Sequence, residues 1–178
     1  DGVYRYSQVW CNNIFKRFHP NGYTPFSYDI TSEAVFGEQE NIICVRVDRT
    51  ELSDSRWFTG SGITRKVTLT VSDPLCLDEY GMFFTVPEAD QEHAAFQTEY
   101  RLLNAGEDGR TVTVVSRLLD PDGVCVSELS GSVYAAAGSR ETLTLDGQLA
   151  APALWTPDTP DLYTLETWLE DKDAGLRL

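Results

Sequence analysis

The strongest constraint on the fold of this chain is the recurrence of apolar residues at every second position. Four runs show it, at residues 45–48, 66–71, 111–115 and 142–145 (VRVD, KVTLTV, TVTVV and TLTL). Because successive side chains of a β-strand lie on opposite faces of a sheet, this period predicts half-buried strands. We therefore predict an all-β chain in which helix is scarce.

Turn signals separate the predicted strands at short intervals. They are Asn21-Gly22, Asp108-Gly109, Asp120-Pro121-Asp122-Gly123 and Asp146-Gly147. Glycine accepts a positive φ angle and Asn or Asp tolerates one, so each of these sequences suits a reverse turn. Residues 117–126 are predicted to form a hairpin, and short strands at this spacing favour β-sandwiches.

One segment, residues 88–103, fits two different periods. Phe96 and Tyr100 have the spacing of a helical stripe, whereas the run Ala94–Leu102 alternates as a strand does. Because the rest of the chain has a β pattern, we predict a strand at about 93–103. The proline-containing segment around Trp155 is predicted to be irregular and to precede a final strand.

The distribution of charge predicts two structural units. The net charge is −14, and residues 1–72 contain eight acidic and eight basic residues, so the whole excess lies in residues 73–178. We predict one unit at 1–72, a linker at 73–78 and a second unit at 79–178.

Composition excludes several classes of function. The negative charge disfavours nucleic acid as a partner, and the absence of an apolar run of about 20 residues disfavours a membrane span. Cys11 and Cys44 lie in apolar runs and are predicted to be buried, and nothing in the pattern supports a disulfide between them. His19 and His93 lack metal-ligand neighbours, so we predict neither a metal nor a cofactor.

Four stretches of sequence, in order, resemble one family. They are GVYRYSQVWCNNIFKRFHPNGYTPFSYDIT, NIICVRVDR, SRWFTGSGITRKVTL and LWTPDTPDLYTL. The first three resemble the later part of a jelly-roll sugar-binding domain, and the fourth resembles the end of the immunoglobulin-like domain that follows it. The family is glycoside hydrolase family 2, the β-galactosidase and β-glucuronidase group.

The resemblance implies a partial jelly-roll β-sandwich followed by an immunoglobulin-like β-sandwich. It also implies that the chain is a non-catalytic segment of a retaining β-galactosidase-like enzyme, with the catalytic (β/α)₈ barrel and the early jelly-roll strands outside it. Two residues depart from the family pattern, Asn13 where Gly is usual and Thr64 where Tyr is usual. The expected partners are a β-galactoside-like carbohydrate and the barrel domain, and the expected location is the cytoplasm.

A first unit without its early strands is expected to be an incomplete sandwich, and its open edges could pair with a second copy of the chain. Two further functions remain open, a stand-alone carbohydrate-binding module and a structural spacer. Within the family, β-glucuronidase is the alternative to β-galactosidase. Whether the reading frame continues past Leu178 separates the enzyme segment from the stand-alone alternatives.

The segment 53–65, SDSRWFTGSGITR, contains the candidate substrate-binding residues Asp54, Arg56 and Trp57. In the family, this loop reaches the mouth of the catalytic barrel. An aromatic face can stack on a sugar ring, and Arg or Asp can bond hydroxyl groups. Packing at a domain junction is the alternative role for the same side chains. We expect no catalytic residue in the chain, because retaining glycoside hydrolysis needs a pair of carboxyls held across the sugar on rigid elements.

Overall fold

A computed structural model describes residues 1–50, 60–171 and 175–177. These residues form strands and no helix, so the all-β prediction is confirmed. The strands are β1 Val3–Tyr4, β2 Ser7–Cys11, β3 Ile14–His19, β4 Ile43–Val47, β5 Gly62–Ile63, β6 Leu75–Ala89, β7 His93–Asn104, β8 Arg110–Leu119, β9 Cys125–Ala135, β10 Arg140–Ala150, β11 Thr164–Asp171 and β12 Leu176–Arg177. Among these residues there is no helix of the length and apolarity needed to cross a membrane.

The chain divides into two compact units, Asp1–Thr70 and Val71–Leu178. Residues 75–78 lie in β6 and not in the predicted linker, because Leu75 is fully buried in the core of the second unit. The naming of the two units as a jelly-roll part and an immunoglobulin-like sandwich stays a prediction.

The first unit contains a three-stranded antiparallel sheet with the order β3-β2-β4. Alternate residues of β2, Ser7, Val9 and Cys11, are buried on one face of this sheet. Cys44 pairs with Trp10 on the opposite face and is exposed. The prediction that Cys44 is buried is therefore wrong, because the position of a residue in an apolar run does not say which face of the sheet is covered.

The turn between β2 and β3 explains how the chain tolerates Asn13 in place of the family's glycine. Asn12 and Asn13 have φ angles of 47° and 68°, and the flanking residues Cys11 and Ile14 pair directly. Two consecutive left-handed residues in a two-residue hairpin loop form a type I′ turn, in which asparagine is favoured at both positions and glycine especially at the second. Asn12 also accepts a hydrogen bond of 2.9 Å from the amide of Ile42.

Replacing Asn13 by glycine is expected to stabilise the first unit by about 0.5 kcal/mol, because glycine adopts this φ angle without steric cost. Asn13→Ala is the matched control and is expected to destabilise the unit, since alanine disfavours the left-handed region. Chemical denaturation of both variants tests the ordering. Greater stability of the alanine variant would contradict the turn geometry.

The segment 66–71 is not a strand, although its sequence alternates. Val67, Leu69 and Val71 are 73%, 73% and 79% exposed, and the segment pairs with none of the described strands. Alternation specifies which side chains share a face, but a strand also needs a neighbour for its backbone N–H and C=O groups.

The second unit is built from two antiparallel sheets with the orders β10-β7-β6 and β12-β11-β8-β9. The strand predicted at 93–103 is β7, in which even-numbered residues are buried. The hairpin predicted at 117–126 joins β8 to β9, and Gly123 in its turn has a φ of 81°. The buried cluster comprises Leu75, Tyr100, Leu102, Val112, Val114, Ala135 and Leu169.

Asp146 and Gly147 do not form the predicted turn but lie within β10. A Cβ atom on Gly147 would lie 2.2 Å from the ring of Phe96, which is its cross-strand partner on β7. Glycine is thus required here for close packing of an aromatic ring and not for a positive φ angle.

Two polar contacts tie the second unit together across long sequence separations. The hydroxyl of Tyr100 on β7 donates a hydrogen bond of 2.6 Å to Ser116 on β8, and Ser116 also bonds Thr167 on β11. This network joins the two sheets through the core.

The second polar contact is the pair of salt bridges that Arg110 forms with Asp73 and Asp171. Its guanidinium donates to Asp171 at 2.9 Å from Nε and to Asp73 at 2.9 Å from Nη1. The pKa of Arg110 is raised, chiefly by the hydrogen bonds that it donates to Asp171. The Asp171 side chain is only 4% exposed, so this ion pair lies largely out of contact with water on the carboxylate side.

Candidate functional site

The predicted substrate-binding residues Asp54, Arg56 and Trp57 lie outside the described residues. Their role stays a prediction. The described residues on either side of positions 51–59 belong to the first unit.

Residues on both sides of positions 51–59 lie next to Tyr4. On the N-terminal side, the guanidinium carbon of Arg49 lies 5.6 Å from the centroid of the Tyr4 ring. On the C-terminal side, Gly62 pairs with Tyr4 in the antiparallel ladder of β1 and β5. Gly62 has a φ of 104°, a conformation that other residues rarely adopt.

Tyr4 belongs to a cluster of aromatic and cationic side chains. Its ring lies 5.5 Å from that of Tyr23, in an edge-to-face arrangement. Arg5 lies 4.8 Å from the ring centroid of Tyr6, and the Tyr6 ring stacks on Phe18 at 6.1 Å. Such distances are those of cation–π and aromatic pairs that stabilise a surface and orient its side chains.

Sequence analysis did not single out this cluster as a site. The available signal was the triplet Tyr4-Arg5-Tyr6, in which a cation lies between two aromatic residues. Only the pairing of β1 with β5 shows that the triplet lies beside Gly62 and Ile63, which belong to the candidate segment 53–65.

Thr64, where the family has tyrosine, has a structural role. Its hydroxyl donates a hydrogen bond of 2.8 Å to the carbonyl of Gly2, and its amide donates one of 2.9 Å to the same oxygen. Arg65 continues this anchor, because its Nη1 donates to the carbonyl of Tyr23 at 3.2 Å. The C-terminal end of the candidate segment is thus fastened to the start of the chain.

The segment 19–31 is held by local contacts. The side chain of Asn21 accepts hydrogen bonds from the amides of Tyr23 and Thr24 and closes the predicted turn. Phe26 packs against Tyr28 at 5.3 Å. Tyr23 is 54% exposed although its ring packs edge-to-face with that of Tyr4.

Three described aspartates serve local turns. Asp29, Asp48 and Asp90 each accept a hydrogen bond from the backbone amide two residues further on. The pKa of each is lowered, chiefly by the hydroxyl of Thr31 for Asp29, by the hydroxyl of Thr50 for Asp48 and by the amide of Glu92 for Asp90. A general acid at neutral pH needs a raised pKa, so these carboxyls are poorly suited to that role.

The pKa of Glu33 is also lowered, chiefly by the hydrogen bond from Lys16, whose Nζ lies 2.6 Å from the carboxylate. In the described part of the chain, no three His, Cys, Asp or Glu side chains are grouped so that they could hold a metal ion.

Comparison with known proteins identifies the family. A family model described as glycosyl hydrolases family 2 matches residues 81–176. The chain belongs to glycosyl hydrolase family 2. The resemblance that the sequence motifs indicated is therefore confirmed, over more than half of the chain.

Relatives of this family 2 chain include a β-galactosidase and solved structures of other members. The β-galactosidase BoGH2A of Bacteroides ovatus is 38% identical over 167 residues, which are 94% of this chain and 20% of that protein. A family 2 member from Bacteroides cellulosilyticus has a TM-score of 0.88 at 32% identity, and the match covers 97% of this chain and 24% of the other.

A β-glucuronidase of Bacteroides uniformis is similar in structure, with a TM-score of 0.89 at 26% identity, and the match covers 100% of this chain and 22% of that one. The chain thus spans about a fifth of the length of BoGH2A.

Proposed function

We propose that this chain is a non-catalytic segment of a retaining family 2 glycoside hydrolase that releases terminal β-galactosides. The catalytic barrel lies outside the 178 residues, and Asp54, Arg56 and Trp57 in the segment 53–65 help to form the wall of the active site. The observation that carries the proposal is the 38% identity to a β-galactosidase over 94% of this chain.

The hydrogen bonds of three described aspartates agree with a non-catalytic role for this chain. Retaining hydrolysis needs one carboxyl as nucleophile and another as acid/base, about 5 Å apart across the sugar. Asp29, Asp48 and Asp90 instead accept hydrogen bonds that hold turns and keep them ionised.

β-Glucuronidase is the second candidate activity, because a β-glucuronidase shares this fold at 26% identity. The two substrates differ at C6, where a glucuronide has a carboxylate and a galactoside has a hydroxymethyl group. Comparing kcat/KM of the intact enzyme for the nitrophenyl β-galactoside and the nitrophenyl β-glucuronide tests the proposal. A higher value for the glucuronide would reverse the assignment.

The 178-residue chain alone is expected to have no glycosidase activity. The physical reason is that it lacks the catalytic barrel in which the carboxyl pair would be held. The measurement is hydrolysis of a nitrophenyl β-galactoside by the purified chain. Turnover that a single Asp or Glu substitution within the chain abolishes would contradict the proposal.

Arg56→Ala in the intact enzyme is expected to lower kcat/KM by roughly 10- to 150-fold, because a charge-assisted hydrogen bond to the sugar contributes about 1.5–3 kcal/mol. Trp57→Ala tests the neighbouring aromatic face in the same assay. A packing role predicts instead a lower Tm with kcat/KM of the folded enzyme unchanged within a few fold. Unchanged kinetics in both variants would contradict sugar contact.

A further inference from the structure

Residues of the sheet β10-β7-β6 line most of an open groove that no step of the proposed function uses. Its volume is about 650 Å³, within the range of small-ligand sites. The groove lies entirely in the second unit, and its lining residues come from both sheets, with Leu129 supplied by β9. The lining also includes Ala95 and Gly147, which have small side chains or none.

Polar side chains form a row across the groove, one from each strand of the sheet. Thr85 on β6 pairs with Gln97 on β7, and Gln97 pairs with Asp146 on β10. The amide Nε2 of Gln97 donates a hydrogen bond of 2.7 Å to Oδ1 of Asp146. This bond orients both side chains, and the amide oxygen and the second carboxylate oxygen can accept hydrogen bonds from a ligand.

An aromatic side chain lies on the same face of the same strand. Phe83 precedes Thr85 by two residues on β6 and is 64% exposed. Because residues two apart in a strand share a face, Phe83 lies on the same face as Thr85, next along the strand from the groove but not among its lining residues. An exposed aromatic ring beside amide, hydroxyl and carboxylate groups provides what a sugar needs, a flat apolar surface for its C–H groups and partners for its hydroxyls.

The charged residues that line the groove indicate which class of sugar it can bind. The described residues that line the groove include Asp146 and no lysine or arginine, and residues 73–178 hold the whole net charge of −14. A carboxylate-bearing sugar would meet a like charge without a cation to pair with it. The groove therefore suits a neutral sugar.

We propose that this groove is a carbohydrate-binding site, which holds neutral oligosaccharide chains. Phe83 stacks on a sugar ring, and Gln97 and Asp146 accept hydrogen bonds from its hydroxyls. The choice of a galactan as probe rests on the proposed function, whereas the groove itself does not.

The test is affinity electrophoresis of the intact protein that contains this chain, in gels with β-1,4-galactan or with polygalacturonate. Galactan is expected to retard the protein more strongly than polygalacturonate. Gln97→Ala is expected to weaken the galactan affinity by about fivefold, as the loss of one neutral hydrogen bond implies. Asp146→Ala is expected to weaken it by about tenfold or more, because a hydrogen bond to a carboxylate is stronger. Ala95→Phe is expected to weaken the affinity as well, by filling part of the groove.

Thr142→Ala is the matched control, because Thr142 is exposed on β10 and pairs with Arg101, away from the groove. It is expected to leave the affinity unchanged. Thermal unfolding of each variant verifies its fold. If Asp146→Ala does not fold, the galactan affinity of Gln97→Ala alone tests the polar row. Equal retardation of wild type, Gln97→Ala and Ala95→Phe would overturn the site, and stronger retardation by polygalacturonate would overturn its preference for neutral sugars.

The two proposals fail separately. A protein without β-galactosidase activity whose retardation by galactan still depends on Gln97 contradicts the proposed function and supports the groove. An active β-galactosidase whose retardation is indifferent to the groove variants contradicts the groove alone.

Discussion

Tyr100→Ala is expected to destabilise the second unit by about 4 kcal/mol, the cost typical of removing a fully buried aromatic side chain. The side chain of Tyr100 is 0% exposed, and it packs in the cluster of buried residues between the two sheets. Its hydroxyl also donates to Ser116, so alanine removes both the ring and the polar link between the sheets. The midpoint of urea unfolding, followed by circular dichroism, measures the effect.

Tyr100→Phe is the matched control, because it keeps the ring and removes only the hydroxyl. Ser116 retains its hydrogen bond to Thr167, so the expected cost is about 1 kcal/mol. Equal losses for phenylalanine and alanine would show that the hydrogen bond and not the packing dominates. An unchanged midpoint for Tyr100→Ala would contradict the burial of this residue.

Arg110→Ala is expected to destabilise the second unit by about 3 kcal/mol at neutral pH, because it removes the hydrogen bonds and the positive charge that this guanidinium supplies to a buried carboxylate. Asp171 is 4% exposed and accepts hydrogen bonds from two nitrogen atoms of this guanidinium. Urea unfolding at neutral pH measures the effect.

The double variant Arg110→Ala, Asp171→Asn separates charge from packing. Removing the carboxylate charge should restore part of the lost stability, because the remaining amide is neutral. A double variant that is less stable than Arg110→Ala would show that Asp171 does not depend on Arg110 for its charge.

Much of the local structure followed from the sequence alone, since it depends on neighbouring residues. The alternation at 93–103 correctly predicted β7 against a competing helical spacing. The composition of the turn at 120–123 correctly predicted the hairpin, because Gly123 supplies the positive φ angle that it requires. The ordered motifs also identified the family, which the match at 81–176 confirms.

Tertiary structure decided what depends on distant partners. The alternating segment 66–71 pairs with none of the described strands. Gly147 lies within a strand, where the ring of Phe96 occupies the space that a side chain would need. Arg110 and Asp171 are 61 residues apart in sequence, so no local pattern could pair them. Periodicity fixes which side chains share a face, whereas burial, pairing and the groove beside Gln97 depend on which other strands fold against that face.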